Sequence, residues 1–223
     1  MSLERDWPLF GLRLETPRLS LRYPTDDDLD ALNAVAAQGI HDPAVMPFEI
    51  PWTDDPPDVR PRNSLQFWWA LRANWKPTRW VLNLVVREGK TIVGVQDLLG
   101  AEFAVTRQVA TGSWLGAAYQ GRGVGKEMRA AVLHLAFAGL GAERATSAAF
   151  EDNAASFKVS RALGYVENGD EIKVTRGQSR RAIRFILERK VWQKNRRDDI
   201  QIHGLEPCRA MFGLSTPVPD EAT

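Results

Sequence analysis

The chain has 223 residues and a formal net charge of +1, from 29 lysine and arginine against 28 aspartate and glutamate side chains. A net charge this close to zero gives no reason to expect nucleic acid or an anionic membrane as a partner. The length favours one domain with a sizeable core over two small ones. No stretch approaches the apolar length of a membrane span, so no membrane association is expected.

The compartment is predicted from the N-terminus and the cysteine count. Residues 1–10 carry Glu4, Arg5 and Asp6 and no apolar signal core, which predicts a cytoplasmic protein rather than a secreted one. The single cysteine, Cys208, excludes an internal disulfide and fits a reducing compartment. It lies near the C-terminus and is expected to be a bystander rather than a nucleophile.

The first third of the chain predicts a strand, a helix, a loop and a second helix. Residues 12–23 alternate apolar and polar side chains, which predicts a strand with a bend at Pro17. Thr25, followed by three aspartates, is typical of a helix N-cap with an acidic first turn. Residues 39–63 are rich in proline and also in apolar side chains, which predicts a loop that either covers an acceptor site or is merely packed on the domain. A second helix is predicted over residues 64–75.

Strands and helices alternate through most of the remaining chain. Strands are predicted over residues 80–87, 91–98, 107–118, 145–150, 172–175 and 182–187. Helices are predicted after the third and fourth of these strands. The alternation predicts a mixed α/β fold in layers with one sheet. The segment from residue 193 onward begins with charged residues and ends with prolines, which predicts loose structure.

A glycine-rich segment joins a strand to an amphipathic helix near the centre of the chain. Gly121, Gly123 and Gly125 let the backbone approach a ligand, and the first helical turn adds free N–H groups and the positive end of the helix dipole. With the charges of Arg122 and Lys126, the segment predicts an anion site, for which phosphate is the best-suited common anion. The spacing fits neither a Walker A loop nor the dinucleotide fingerprint. The alternative is a glycine-rich turn that binds nothing.

The pattern Gln120-x-x-Gly123-x-Gly125 resembles the pyrophosphate loop of the GCN5-related N-acetyltransferase (GNAT) family, whose members bind acyl-coenzyme A. The sequence Thr-Pro-Arg-Leu-x-Leu-Arg at residues 16–22 is similar to the start of the branch that acetylates ribosomal-protein alanine and serine N-termini. The resemblance implies an acyltransferase domain over residues 1–193. It leaves residues 194–223 as a C-terminal tail that packs on the domain or on a partner subunit, as in a homodimer.

The resemblance also implies an α/β (α+β) fold with a single mixed, largely antiparallel sheet, flanked by helices and containing a splayed strand pair. The pantetheine arm of the cofactor would pair with the backbone between the splayed strands. The positions implied for cofactor binding are Leu115, Ala117, Gln120, Gly121, Arg122, Gly123, Val124, Gly125, Lys126, Asn153 and Ser156. Asn153 is alternatively only an N-cap, and Ser156, implied as a proton donor to the leaving sulfur, is alternatively an ordinary first-turn serine.

The reaction requires a group that takes a proton from the attacking amine. Many relatives place a glutamate shortly before the tryptophan of the splayed strand, whereas residues 109–113 carry no carboxylate. Glu102, Asp97 and His41 are the candidate catalytic bases, and each is alternatively a solvated surface group. The missing glutamate favours a different class of function, a non-catalytic acyl-coenzyme A sensor.

The sequence does not determine either the acyl donor or the amine acceptor. The chain resembles in particular a small actinobacterial branch, with Trp-Pro-Leu-Phe at residues 7–10, for which succinyl-coenzyme A is the proposed donor. A guanidinium is the natural partner of a succinyl carboxylate, so Arg107 is a candidate substrate-binding residue together with Trp114, although Arg107 is alternatively a surface residue. Acetyl-coenzyme A is the default donor. The acceptor is a primary amine of a protein N-terminus, a lysine or a small molecule, and the absence of metal-ligand spacing predicts no metal.

Overall fold

Nine β-strands form one sheet in the computed structural model, which describes residues 3–215. The strands are β1 (Arg13–Glu15), β2 (Leu19–Arg22), β3 (Arg79–Glu88), β4 (Thr91–Ala101), β5 (Gln108–Leu115), β6 (Arg144–Phe150), β7 (Val166–Thr175), β8 (Gln178–Glu188) and β9 (Gln201–His203). Their order across the sheet is β7-β8-β6-β5-β4-β3-β2-β1-β9, and neighbours are antiparallel except β5 and β6. The predicted single, mixed and largely antiparallel sheet is confirmed.

Helices flank both faces of this sheet. The α-helices within residues 3–215 are α1 (Asp26–Ala37), α2 (Arg60–Ala73), α3 (Phe103–Thr106), α4 (Val124–His134), α5 (Ala154–Ala162) and α6 (Arg189–Lys194). Thr25 caps α1 as predicted, since its hydroxyl accepts from the Asp28 N–H at 3.2 Å and the Asp28 carboxylate accepts from the Thr25 N–H at 3.0 Å. Among the described helices, none combines the length and apolar character needed to cross a bilayer.

The single bent strand predicted over residues 12–23 is wrong. The chain instead reverses direction there, and β1 pairs with β2 as an antiparallel hairpin. The Thr16 N–H donates to the Leu19 carbonyl at 2.9 Å across a turn that contains Pro17. Because proline has no N–H and a fixed φ, it suits a turn better than a continuous strand. The hairpin places the loop between β1 and β2 beside the start of α4.

Alternate residues of β3 divide the core into two layers. Leu82, Leu84 and Val86 face the larger cluster, which contains the buried side chains of α4, whereas Val85 faces a smaller cluster with α1 and α2. The second helix begins at Arg60, four residues before its predicted start, because a proline in the first helical turn costs no hydrogen bond. The sheet therefore has α4 on one face and the α1–α2 pair on the other.

The parallel strands β5 and β6 separate part-way along their length. Within the described chain they pair only over residues 108–110 and 144–146, although each strand continues for several residues more. The Val109 carbonyl accepts a hydrogen bond from Thr146 Oγ1 at 3.2 Å, so alternation directs the backbone groups of every second β5 residue toward β6. Beyond the paired region these groups face an opening, which we call the β5–β6 gap. The predicted splayed strand pair is present.

The tail packs against the sheet, so the loose structure predicted from residue 193 is wrong for its described part. β9 pairs with β1 at the edge of the sheet, and farther along Cys208 and Phe212 have no exposed surface. The apolar residues of this segment are widely spaced between charged ones, so no periodic pattern marks them as buried. The end of the tail, with its two prolines, lies outside the described residues.

Candidate active site

The glycine-rich segment forms a tight turn at the start of α4. Gly121 and Gly123 have φ values of +72° and +81°, in the left-handed region that side chains other than glycine rarely adopt. Gly123 is the N-cap of α4, and Val124 anchors the first turn in the core with no exposed surface. The turn therefore presents the backbone N–H groups of the helix start to solvent, which is the geometry of an anion site. We call residues 120–126 the phosphate loop.

Arg18 adds a positive charge to the phosphate loop that the sequence did not reveal. Its Nη1 donates to the Arg122 carbonyl at 3.2 Å, and a Cβ at Gly123 would lie 3.6 Å from its Nη2. Arg122 and Lys126 are exposed beside it. Arg18 is brought here only by the β1–β2 hairpin, so no local sequence signal could have assigned it to the site.

Glu127 fastens that hairpin to α4. Its carboxylate accepts from Thr16 Oγ1 at 2.6 Å and from Arg18 Nε at 2.8 Å, and the residue is only 6% exposed. Burial alone would raise the pKa of this carboxyl, but the hydrogen bonds from Thr16 and Arg18 hold it below its usual value. The charged carboxylate keeps Arg18 in position while leaving part of its guanidinium toward the loop.

The side-chain amide of Gln120 fixes the position of the phosphate loop. Its Nε2 donates to the carbonyls of Ile40 at 2.6 Å and Leu115 at 2.9 Å. The neighbouring Ala117 N–H donates to the Gly39 carbonyl at 2.9 Å. The amide of Gln120 and the N–H of Ala117 are therefore engaged by protein groups, so these two residues fix the position of the loop.

The β5–β6 gap opens next to the phosphate loop. Gly125 faces it, since a Cβ there would lie 3.7 Å from Leu115 Cδ1 on β5 and 3.8 Å from Val159 Cγ2 on α5. At the start of α5, Asn153 Oδ1 accepts from the Ser156 N–H at 3.0 Å, so Asn153 is an N-cap. Ser156 is partly buried. Val159 therefore brings α5, the helix that begins after Asn153, to the same opening as Leu115.

Arg129 lies one helical turn beyond Gly125. Its Nη1 donates to Ser160 Oγ on α5 at 3.0 Å and its Nη2 to Ser113 Oγ on β5 at 3.3 Å, while Nε has no partner within residues 3–215. The residue is only 5% exposed. Burial lowers the pKa of this guanidinium, although the nearby Tyr165 acts in the opposite direction. Sequence reasoning missed Arg129 because an arginine within an amphipathic helix reads as part of its polar face.

The proline-rich loop is an ordered wall rather than a solvated linker. Arg176, in the turn between β7 and β8, donates to both carboxylate oxygens of Asp54 at 2.6 Å and to the Pro43 carbonyl at 3.0 Å. Thr175 Oγ1 donates to the Phe48 carbonyl at 3.0 Å. Because α1 lies beyond β5 and the β7–β8 hairpin beyond β6, the loop spans the β5–β6 gap from one half of the sheet to the other.

A groove of about 490 Å³ lies between this loop, α2 and the sheet. Much of its wall is aromatic, from the side chains of Phe48, Trp52, Phe67, Trp68 and Trp114. Trp52 and Trp114 pack with their ring centroids 5.8 Å apart. The groove floor is formed by β4 and β5 at the level of Asp97 and Gly112, which pair across the two strands.

The Asp97 carboxyl is the titratable group at this floor. Burial raises its pKa to about 7, although a hydrogen bond from Asn83 favours the charged form. Asn83 Nδ2 donates to Asp97 Oδ1 at 2.6 Å, and the other oxygen points to Gly112, where an added Cβ would lie 3.5 Å away. The lack of a side chain at Gly112 leaves that oxygen accessible from the groove.

The model of the family described as the acetyltransferase (GNAT) domain matches residues 18–166, more than half of the chain. The chain belongs to the GNAT acetyltransferase family. This match confirms the family that the sequence of the phosphate loop predicted. Among residues 3–215 of the enzyme, no group of three or more His, Cys, Asp and Glu side chains is arranged to hold a metal ion.

Solved structures with the fold of this acetyltransferase include a Vibrio cholerae protein provisionally described as a ribosomal-protein-serine acetyltransferase, with TM-score 0.62 and 23% identity, covering 79% of this chain and 97% of that one. Mycobacterium smegmatis RimJ, in complex with CoA-disulfide, has TM-score 0.65 and 19% identity, with coverage of 79% and 85%. A chimera of the Vibrio cholerae spermidine N-acetyltransferase SpeG has TM-score 0.61 and 16% identity, with coverage of 79% and 98%. At these identities the likeness supports the fold.

Glu102 and Arg107 of the acetyltransferase lie away from the groove, at the closed end of the β5–β6 pair. Glu102 is exposed in the turn after β4. Arg107 donates to the Leu140 carbonyl at 3.5 Å and lies over the Phe103 ring. It precedes Gly112 by five residues, or roughly 16 Å of extended strand. This placement argues against Glu102 as the base and against Arg107 as a contact to the acyl group.

His41 and Trp114 are closer to the groove of the acetyltransferase. Trp114 lines it directly. His41 lies in the proline-rich loop, where one ring nitrogen is 2.8 Å from Thr53 Oγ1 and the other 2.8 Å from the Asp42 carbonyl oxygen. With both ring nitrogens engaged by protein groups, His41 supports the loop, and Asp97 is the candidate base that the groove exposes.

Proposed function

We propose that this acetyltransferase moves an acyl group from an acyl-coenzyme A in the β5–β6 gap to a primary amine in the groove, with Asp97 as the general base. The observation that carries the proposal is a carboxyl with a pKa of about 7 at the floor of the groove. A base with a pKa near the working pH is often deprotonated and still accepts a proton readily. Acetyl-coenzyme A is the default donor.

Two regions of the site would hold the cofactor, one for its pyrophosphate and one for its pantetheine arm. The N–H groups of the phosphate loop and the charges of Arg18, Arg122 and Lys126 suit the pyrophosphate. The pantetheine arm carries two amides, which suit the unpaired backbone edge of β5. The arm would pass Leu115 and direct the thioester toward Gly112, where the Asp97 carboxyl faces the strand.

The reaction then needs one proton to leave the amine and one to reach the sulfur. The amine nitrogen attacks the thioester carbonyl carbon, and its proton passes to Asp97. A β5 backbone N–H that faces the gap stabilises the oxyanion. The C–S bond breaks, and the thiolate takes a proton from the Ser156 hydroxyl, at the start of α5, which regains one from solvent water in the same step; Asp97 later releases its proton to solvent.

The acceptor that the groove suits best is a single amine next to an apolar group. The groove contains the carboxylates of Asp55 and Asp97 and the guanidinium of Arg60, so its net charge is at most −1, less than a polyamine with several ammonium groups requires. Ile50 and Phe67 are 69% and 52% exposed at its rim. We therefore propose that the acceptor is the N-terminus of a protein rather than spermidine. This choice agrees with the ribosomal-protein description of one structural relative.

The test is turnover with short peptides against turnover with spermidine, followed by mass spectrometry of the acceptor. We expect peptides with a free N-terminus to be acylated and the same peptides with a blocked N-terminus to be inert. Faster acylation of spermidine would contradict the proposed acceptor. Binding of acetyl-coenzyme A without turnover of any amine would instead favour the non-catalytic sensor.

A further inference from the structure

Arg60 is a cation in the wall of the groove without a carboxylate partner among residues 3–215. Its Nη1 donates to the Thr53 carbonyl at 3.4 Å, a long hydrogen bond, and this is the only polar contact of its side chain there. Asp55, which also lines the groove, accepts from Asn63 Nδ2 at 2.9 Å instead. Because a guanidinium has five N–H donors, most donors of Arg60 are available to a ligand in the groove.

Two other arginines near the proline-rich loop are paired with carboxylates of their own chain. Arg176 Nη2 donates to Asp54 Oδ1 at 2.6 Å, and Arg180 Nη2 donates to Asp152 Oδ1 at 2.6 Å. Of these three arginines, Arg60 is the one that lines the groove and lacks such a pair. The protein uses the other two charges to hold its own segments together, whereas the charge of Arg60 is available to the acceptor.

The surroundings of Arg60 favour a charged partner over a neutral one. Much of the groove wall is aromatic, and Arg60 itself is only partly exposed. Aromatic walls keep water away, so opposite charges attract each other more strongly than on an open surface. A carboxylate accepts two parallel hydrogen bonds from a guanidinium, whereas a neutral amide has a single acceptor oxygen and no charge. The group that matches Arg60 best is therefore a carboxylate.

The anions of the cofactor are not the partner of Arg60. The phosphate loop is at the start of α4, which packs on the face of the sheet opposite α1 and α2. The pantetheine arm, proposed for the β5–β6 gap, is uncharged. The carboxylate must therefore come with the acceptor.

The geometry of α2 gives the position of this carboxylate along the acceptor. One face of α2 runs along the groove, with lining residues every three or four positions, at Arg60, Asn63, Ser64, Phe67 and Trp68. From Arg60 to Trp68 the helix rises about 12 Å. Trp68 packs in one cluster with Val95, which precedes Asp97 by two residues on β4. An extended peptide rises about 3.3 Å per residue, so a chain that begins at Asp97 reaches Arg60 within about four residues.

We infer that Arg60 binds an acidic side chain at about the second to fourth residue of the acceptor, so that the enzyme prefers protein N-termini with an aspartate or glutamate close behind an apolar first residue. This inference rests on the proposed function, in which the groove holds a protein N-terminus and Asp97 takes the proton of its amine. Arg62 is exposed on the same helix and is not among the groove-lining residues, so it serves as the control.

The test is steady-state kinetics of the full-length enzyme with acetyl-coenzyme A and peptides that have a free N-terminus and an amidated C-terminus. The peptides share one sequence and carry glutamate, glutamine or lysine in turn at the second, third and fourth positions. We expect the best glutamate peptide to have a kcat/KM at least about threefold above that of its glutamine counterpart, as a partly exposed ion pair implies, and the lysine peptide to be the poorest. Arg60→Gln should remove this preference, and Arg62→Gln should retain it.

Equal kcat/KM values for the three peptides at every position in the wild-type enzyme would overturn the inference, and this comparison does not depend on a variant that folds. A glutamate preference that persists in a folded Arg60→Gln protein would also overturn it. In both cases the peptides are still acylated, so the proposed function stands. Acylation of none of the peptides would instead overturn the proposed function, and the inference with it.

Discussion

Asp97 destabilises the fold in the pH range where it would act as a base. Its pKa of about 7 in the folded protein lies above the value of about 3.9 for an unfolded chain, so the native state binds more protons between these pH values. The free energy of unfolding therefore falls as the pH rises from 4 to 7. Above pH 7 the full cost applies, up to about 4 kcal/mol.

Asp97→Asn is expected to lower activity and raise stability. The Asn83 amide can still donate to the side-chain oxygen, but the base and its buried charge are gone. We expect turnover to fall by about 10²–10⁴-fold, the usual range for general base catalysis. Urea unfolding should show a stability gain at pH 8 that disappears near pH 4.

Glu102→Gln is the matched control for this variant, because it also neutralises a carboxylate next to β4, but at an exposed position. It should leave turnover unchanged. Wild-type turnover in Asp97→Asn would exclude Asp97 as the base. The sequence could not choose among Asp97, Glu102 and His41, since the choice depends on which side chain the strand pairing directs into the groove.

At the scale of single elements, the phosphate loop depends on the conformation of Gly123. Gly123→Val should abolish coenzyme A binding and leave the fold largely intact, because a β-branched residue is strained at a φ of +81° and would alter the turn. Calorimetry with coenzyme A measures the effect. Gly177→Val carries a similar strain at a φ of +69° in the distant β7–β8 turn, so it should retain binding. Unchanged affinity in Gly123→Val would contradict the phosphate site.

The proline-rich loop depends in turn on Arg176. Arg176→Ala removes the contacts to Asp54 and Pro43, so the loop should lose its fixed position over the groove. We expect KM for the acceptor to rise several-fold, since partly exposed ion pairs contribute modestly, while the affinity for coenzyme A stays unchanged. Steady-state kinetics and calorimetry separate the two effects.

Arg181→Ala is the control for Arg176→Ala, because Arg181 lies in the same hairpin and pairs with Asp170 at 3.0 Å instead of with the loop. It should leave KM for the acceptor unchanged. An equal rise of KM in both variants would mean that the hairpin, not the loop contact, supports the acceptor site.

At the scale of the whole molecule, the tail belongs to the core of the domain. Phe212 has no exposed surface, and its ring centroid lies 4.9 Å from that of Trp80. Phe212→Ala should lower the free energy of unfolding by about 3–5 kcal/mol, the cost of a large cavity. Val105→Ala, at a position 82% exposed, should change it by less than about 0.5 kcal/mol. A small effect in both, measured by urea unfolding, would contradict a structural role for the tail. The buried apolar side chains of the tail pack against their own chain and not against a second copy, so the homodimer stays a prediction.

Features that depend on neighbouring residues were predictable from the sequence. The capping box of α1, the β3–β4 hairpin and the phosphate loop are each encoded within about ten residues. Features that depend on distant segments were not. Arg18 reaches the phosphate loop through a hairpin turn, Arg129 meets its partners on β5 and α5, and Phe212 meets Trp80 across more than half of the chain.

The separation of β5 from β6 also weakens the connection between the two halves of the sheet. The block β6-β8-β7 is hydrogen-bonded to the neighbouring strand only along a short parallel seam, and its other links are the proline-rich loop and the core packed around α4. Such a block can open at a free energy below that of global unfolding, so its backbone amides should exchange hydrogen for deuterium sooner than those of β3 and β4. A cofactor that fills the seam would add its binding energy to the opening reaction and slow that exchange. Ligand binding would then couple the opening of this block more closely to global unfolding.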